Sequence, residues 1–245
     1  MNRSSVRAVS AQARVELLLT LRRGESLVVS LAIPVGILVF FTKVDVVQTS
    51  LRDPVQFLVP GVLALAVMST AMVSLGIATG YERRYGVLKR LGSTPLSRAG
   101  LLAAKTIGVL ALEVVQAVVL LAVGAALGWH AVGNVGVAVG LLLVGTVAFA
   151  GLGLFFAGAL RAETNLAVAN ALFLLLLFLG GMAYPLGRLP GALETLARGL
   201  PAAALSDTVR QALSTSPISV GALVTLLAWA VGAPFLAART FRWEE

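Results

Sequence analysis

The sequence predicts an all-α integral membrane protein with six transmembrane helices, and three observations support this. Apolar residues make up 58% of the 245 residues and charged residues only 12%, against about 45–50% and about 25% in soluble domains. The mean hydropathy is +0.95. Six apolar stretches approach or exceed the length of about 20 residues that a transmembrane helix needs. We therefore interpret residues 1–245 as a single membrane domain.

The six predicted spans follow one another along the chain, separated by polar connections. They are residues 26–42, 55–79, 107–127, 135–160, 166–182 and 219–237. Before the first span, which is short, apolar residues recur at helical spacing, with Arg7, Arg14 and Arg22 off their face. This pattern predicts that residues 1–25 form an amphipathic helix that lies in the membrane interface.

The connections predict an orientation, because Lys and Arg are enriched in cytoplasmic loops. Fourteen of the nineteen Lys and Arg residues fall in the N-terminal segment, the C-terminal tail and the connections on their side. Both termini are therefore expected in the cytoplasm, with the chain in the cytoplasmic (inner) membrane. The net charge of +8 is attributed to anionic lipid headgroups rather than nucleic acid, since the basic residues flank apolar runs.

Several classes of function lack the residues that they require. The chain has no cysteine, which excludes a disulfide framework, thiol catalysis and cysteine-ligated metals. No G-x-x-x-x-G-K-[ST] sequence is present, so no phosphate-binding loop is expected. No metal-ligand set and no catalytic residues can be assembled.

The connection between the fifth and sixth spans, residues 183–217, is too polar to span and too apolar for a free loop. Prolines divide it into two helix-like pieces, about residues 191–198 and 202–213. We expect short amphipathic helices that enter the outer leaflet. Irregular backbone at membrane depth needs protein neighbours, so these pieces should pack on the spans or on a partner.

The connection between the second and third spans, residues 81–98, is basic and amphipathic. Tyr81, Tyr85, Leu88 and Leu91 recur at helical spacing, which predicts one short helix over residues 81–91 at the membrane surface. A glycine then ends this helix, and the sequence Ser-Thr-Pro is typical of the start of another. The predicted unit is a helix, a sharp turn and a helix that enters the third span.

Two motifs give the chain a resemblance to the permeases of type-2 ABC exporters. The first is a Glu-Arg…Gly…Leu-Lys-Arg-Leu…Thr-Pro-Leu-Ser segment, formed here by Glu82, Arg83, Gly86, Leu88, Lys89, Arg90, Leu91, Thr94, Pro95, Leu96 and Ser97. The second precedes the last span and comprises Gly180, Gly181, Pro185, Leu189, Pro190, Leu200, Pro201, Asp207 and Arg210. Together with the order of the spans, the resemblance covers nearly the whole chain.

The resemblance implies that residues 81–98 contain a coupling helix that seats on a cytoplasmic ATP-binding subunit. In this interpretation two such subunits bind ATP and Mg²⁺, and this chain pairs with a second permease copy or a paralogue. Glu82 and Arg83 would make charge-assisted contacts with the ATPase, Gly86 would permit close approach, and Pro95 would fix the turn. The implied contact set is Glu82, Arg83, Tyr85, Gly86, Leu88, Lys89, Arg90, Thr94 and Pro95.

The cargo implied by the apolar spans is an amphiphilic drug, an antibiotic or a lipid, with export of a polysaccharide or glycolipid as the alternative. Candidates for the translocation path are Met68, Met72, Asn165, Asn170 and Phe173. For the methionines and Phe173 a core or lipid-facing position is the competing interpretation, and for the asparagines it is hydrogen bonding between helices.

Glu113 is the one carboxylate inside a predicted span, with Gln116 on the same helical face. Intramembrane acids suggest function, yet a hydrogen bond between spans is the simpler interpretation. Two other classes stay open. A secondary transporter would be expected to show more intramembrane charge, and a membrane enzyme would need a cluster of catalytic side chains.

Overall fold

The chain is described by a computed structural model that covers residues 24–43, 53–92, 98–183 and 185–241. Its regular elements are all helical within these ranges. They are α1 (Gly24–Lys43), α2 (Pro54–Arg84), α3 (Val87–Gly92), α4 (Arg98–Ala126), α5 (Val135–Ala159), α6 (Ala162–Leu179), α7 (Gly191–Arg198), α8 (Pro201–Ala212) and α9 (Val220–Thr240), with a 3-10 turn at Leu186–Arg188.

Five helices are long and apolar enough to cross a membrane, namely α2, the Ala103–Ala126 part of α4, α5, α6 and α9. Each overlaps one of the predicted spans two to six. The first predicted span corresponds to α1, whose apolar part, Leu31–Lys43, is shorter than a span, so a sixth span stays a prediction. The predicted amphipathic helix over residues 1–25 lies almost entirely outside the described residues.

Helix α2 is the most deeply buried of the five spans, because other helices cover it on nearly every side. Its middle turns, Met68–Ser74, form a π-helix, with α-helix before and after. Segments of π-helix are rare and often coincide with functional positions in a helix. The long helix therefore has an unusual segment about midway between its two ends.

Helix α5 is the second central element, and it packs along α9, α2 and α8. Small residues allow these close approaches. An added Cβ at Gly153 would lie 2.5 Å from the Met72 carbonyl oxygen of the π-helical segment, and one at Gly151 would lie 2.5 Å from the Pro234 nitrogen of α9. Backbones this close exclude any side chain, so both positions fix the crossing of α5 with its neighbours.

The antiparallel packing gives the bundle two ends, which we name by their content. The basic end contains the C-terminal ends of α2 and α5, the N-terminal ends of α4 and α6, and the short helix α3. The α8 end contains the opposite ends of these helices together with α7 and α8. Contacts such as Arg83 with Gly158, and Arg210 with Gly181, define these groupings.

The two short helices predicted between the fifth and sixth spans are confirmed as α7 and α8. Helix α8 is almost fully buried and packs against α2, α5 and α9, as expected for backbone that needs protein neighbours. Helix α7 is peripheral and exposes Leu193 and Leu196. Trp229 of α9 donates a 3.0 Å hydrogen bond to the Gly199 carbonyl, which anchors the end of α7.

Candidate functional site

The connection between α2 and α4 begins with a sharp turn. Helix α2 continues to Arg84, Tyr85 and Gly86 form the turn, and α3 starts at Val87. The prediction of one helix over residues 81–91 is therefore wrong. Gly86 has φ of +70°, a left-handed conformation that glycine adopts without steric cost and that ends helices.

The close approach of the ATPase that is predicted for Gly86 stays a prediction, and within the chain Gly86 has a conformational role. An added Cβ would meet no heavy atom within 4 Å, so space does not require glycine here, whereas the positive φ does. Tyr81 on α2 and Tyr85 in the turn still stack, with ring centroids 6.2 Å apart. The turn thus changes the direction of the chain and leaves Tyr85 at its tip.

The side chains of the turn and of α3 divide into an exposed set and a buried one. Tyr85 is 72% exposed and Val87 is 43% exposed, and Lys89 and Arg90 are also exposed. Leu88 is completely buried and joins the hydrophobic core. One leucine therefore holds α3 on the bundle while aromatic, apolar and basic side chains point outward. Thr94 and Pro95, the other predicted contact residues, lie outside the described residues.

Arg83 points into the bundle rather than outward. It is only 4% exposed, and its guanidinium donates hydrogen bonds to the carbonyl oxygens of Gly158 and Leu160. These carbonyls belong to the end of α5, where the last turn of a helix lacks intrahelical donors. A cation there also interacts favourably with the helix dipole. Arg83 consequently joins the end of α2 to the end of α5.

Glu82 also pairs within the chain. Its Oε2 accepts a 2.6 Å bond from Nζ of Lys105 on α4. Lys105 is 2% exposed, and a buried ammonium requires such a partner because burial strips its hydration. The pair joins the last turn of α2 to the part of α4 that lies seven residues after its start at Arg98. The sequence does not predict this pairing, although Lys105 is a lone lysine just before an apolar run.

Two contacts join α2 to α6 at the same end. Asn165 is buried and donates a 2.8 Å hydrogen bond to the Gly76 carbonyl oxygen of α2. Arg84 forms an ion pair with Glu163 in a more exposed position. Glu82, Arg83, Lys105 and Asn165 therefore hold the end of α2 against α4, α5 and α6, and we call these four residues the basic-end clamp.

The candidates for the translocation path occupy different environments. Met68 and Met72 are fully buried in the protomer core, which agrees with the alternative interpretation, and Phe173 is partly buried against that core. Asn165 belongs to the clamp, as described above. Asn170 is exposed and donates to the Leu166 carbonyl of its own helix. The structure does not bring these five residues together in one surface.

The intramembrane polar residues form two pairs between helices. Glu113 Oε2 accepts a 2.5 Å hydrogen bond from Thr146 of α5, and Gln116 Oε1 accepts a 2.9 Å bond from Thr70 in the π-helical segment of α2. The hydrogen bond that the structural interpretation of Glu113 predicts is thus present. The other oxygen of Glu113 is buried and has no hydrogen-bond partner among the described residues.

At the α8 end, Arg210 of α8 makes three contacts. It donates to Asp207 at 3.0 Å and to the Gly181 carbonyl at 2.8 Å, and its guanidinium lies 3.8 Å from the ring centre of Phe57 on α2. Burial lowers the pKa of Arg210 to about 10, so it remains a cation at neutral pH. Burial raises the pKa of Asp207, and the neighbouring Arg210 charge opposes that rise.

The second motif therefore has a structural explanation. Gly181 has φ of +62° and forms the turn after α6 whose carbonyl oxygen Arg210 binds. Ser206 of α8 donates to the neighbouring Gly180 carbonyl. Glycines, aspartate and arginine that are separated in the sequence thus meet at one junction between α2, α6 and α8.

Comparison with known proteins identifies the class of membrane protein. The ABC-2 type transporter family matches residues 7–214, and the chain belongs to this family. It is 28% identical over 195 residues to "Putative transport permease YvfS" of Bacillus subtilis (strain 168), an alignment that covers 78% of this chain and 79% of the relative. The resemblance inferred from the two motifs is confirmed, and the chain is a multi-pass membrane permease of the ABC transporter class.

Proposed function

We propose that the chain is the membrane subunit of an ATP-driven exporter and that a separate ATP-binding subunit docks on the basic end. The observation that carries this proposal is the exposed tip formed by Tyr85 and α3. An aromatic and an apolar side chain stand in solvent there, beside two basic ones. Aromatic residues and arginine, represented here by Tyr85 and Arg90, are enriched where proteins bind one another.

The contacts that attach this tip to the bundle also support the proposal. Glu82 and Arg83 pair within the chain, so we narrow the predicted contact set to residues that face outward. These are Tyr85, Val87, Lys89 and Arg90. Thr94 and Pro95 stay in the proposed contact set on the resemblance alone. Force applied to the tip would enter α2 and α4 directly, since these helices flank it along the chain.

In the proposed complex two ATP-binding subunits, which bind ATP and Mg²⁺, serve two permeases, either two copies of this chain or this chain and a paralogue. The basic end faces the cytoplasm, in keeping with the excess of Lys and Arg on that side. Both termini also lie in the cytoplasm. The protein spans the inner membrane, and α7 and α8 lie at the outer leaflet. The cargo is an amphiphilic drug, an antibiotic or a lipid, because the spans offer apolar surface and few charges. A polysaccharide or glycolipid is the alternative cargo.

Co-purification tests the proposal. The chain would be expressed with candidate ATP-binding subunits from the same genome, and the ATPase retained by the permease would be measured in detergent extracts. We expect stable association, and we expect the double variant Tyr85→Ala/Val87→Asp to lose it while the permease stays in the membrane. A matched control is Leu193→Ala/Leu196→Asp on the exposed face of α7. Equal retention of the ATPase by both variants would contradict docking at the basic end.

A further inference from the structure

The buried ion pair between Glu82 and Lys105 closes the connection that contains α3. Glu82 lies two residues before the end of α2 at Arg84, and Lys105 lies on α4, seven residues after its first residue, Arg98. Their side chains meet at 2.6 Å, with Lys105 side-chain exposure of 1%. The ion pair therefore connects α2 and α4, the helices that flank the exposed tip, near their basic ends.

The Glu82–Lys105 ion pair determines how α2 and α4 would respond to a displacement of α3. Without it, α2 and α4 could respond separately, since each is connected to α3 by its own turn. With it, their ends must move together, and Arg83 extends the same constraint to the end of α5. An ion pair with one deeply buried partner is suited to this, because the attraction between two charges is stronger away from water.

We propose that Lys105 is a positioning residue that keeps the basic ends of α2 and α4 at a fixed separation throughout the ATP-driven cycle. This inference rests on the proposed function, because it assumes that an ATP-binding subunit displaces α3. Lys105 acts through Glu82 and touches neither the ATPase nor the cargo. Any change in the shape of α2 during the cycle then occurs farther from the basic end than the basic-end clamp, toward the π-helical segment at Met68–Ser74.

The test measures the separation of α2 and α4 directly. The chain has no cysteine, so nitroxide labels can be placed on Ala78→Cys of α2, a half-buried position between the π-helical segment and Glu82, and on Ala103→Cys of α4, an exposed position. Labelled chains are diluted with unlabelled ones so that the distance is measured within one chain. The method is pulsed electron paramagnetic resonance. The samples are the complex with its ATP-binding subunit, without nucleotide and after trapping with ATP, Mg²⁺ and vanadate.

We expect the distance to be the same in both states of the otherwise unaltered chain. Glu82→Met/Lys105→Met removes both charges and leaves no buried ion unpaired, so this variant should fold and still bind the ATPase. In it the distance should shift or broaden on trapping. Lys105→Arg should behave as the parent chain does, and the exchanged pair Glu82→Lys/Lys105→Glu should restore a constant distance.

Two outcomes would overturn the inference. One is a distance that changes on trapping even with Glu82 and Lys105 intact, and the other is a constant distance in the double methionine variant. Failure of the proposed function gives a different result, since the parent chain would then retain no ATP-binding subunit at all. If the double methionine variant is not recovered in the membrane, Glu82→Gln/Lys105→Gln also removes both charges and makes a smaller change in polarity.

Discussion

The two ends of α2 are both held by an arginine, yet they are built differently. At the basic end Arg83 lies on α2 itself and donates to carbonyls at the end of α5. At the α8 end Arg210 comes from another helix and donates to the Gly181 carbonyl while lying on Phe57 of α2. Both arrangements satisfy backbone carbonyls at helix ends, which would otherwise lack donors.

The basic end and the α8 end differ in whether another part of the chain covers the contacts of the arginine. At the α8 end the chain folds back, and the buried helix α8 covers the junction. At the basic end the chain continues past the arginine to an exposed tip at Tyr85. The protein's own chain covers the α8 end, whereas the basic end presents an exposed surface that buried contacts attach to the bundle. This contrast is the physical basis for placing the partner at the basic end.

The largest effect is expected at the arginine of the closed end. Arg210→Met removes a cation that compensates the partly buried Asp207 and satisfies Gly181. We expect a loss of about 3 kcal/mol in the free energy of unfolding, as is typical when one partner of a buried pair is removed. Unfolding in mixed micelles, followed by circular dichroism, measures it. Adding Asp207→Asn should recover part of the loss, and no recovery would contradict the assigned ion pair.

Close packing at the α8 end gives the next largest effect. An added Cβ at Gly61 of α2 would lie 2.0 Å from the Met182 carbonyl oxygen, so Gly61→Ala forces backbone apart. We expect a loss of about 2–3 kcal/mol in the same unfolding measurement. Gly140→Ala is the matched control, because no heavy atom lies within 4 Å of its added Cβ. Equal stability of the two variants would show that this packing is wrong.

The arginine of the basic end is expected to contribute less than Arg210. Arg83→Met leaves the carbonyl oxygens of Gly158 and Leu160 without this donor. A loss of about 2 kcal/mol is expected from the unsatisfied acceptors, again measured by unfolding. A loss larger than that of Arg210→Met would reverse the ranking of the two ends.

The smallest effect on stability is expected at the exposed tip. Tyr85→Ala removes a side chain that is 72% exposed, and changes at such sites usually alter the free energy of unfolding by less than about 0.5 kcal/mol. The same variant should weaken binding of the ATP-binding subunit, measured by titration with the purified subunit. A destabilised protein with unchanged binding would indicate a structural role instead.

Much of the fold follows from the sequence, because apolar length and periodicity report helices directly. The ranges of α2, α5 and α9 lie close to the predicted spans, and Asn134 caps α5, as is common for asparagine at this position. The break at Gly86 was missed because the apolar spacing continues through it, and a single glycine can either interrupt a helix or be accommodated within it.

The partners of the site residues could not be predicted from the sequence. Glu82 and Lys105 are 23 positions apart, and Arg83 and Gly158 are 75 apart. Local spacing carries no information on such contacts, which depend on how helices cross. The sequence therefore indicated that Glu82 and Arg83 matter at this loop, whereas the packing shows that both point into the bundle. The π-helical segment at Met68–Ser74 likewise has no local signal that we can identify.

Site-specific photo-crosslinking tests the central claim most directly. A photoreactive phenylalanine would replace either Tyr85 at the basic end or Ala131, an exposed residue in the loop at the α8 end. Membranes that contain the ATP-binding subunit would then be irradiated. The account predicts a crosslink to that subunit from position 85 and none from position 131. A crosslink from position 131 alone would contradict it, because the partner would then bind the end that the chain closes itself.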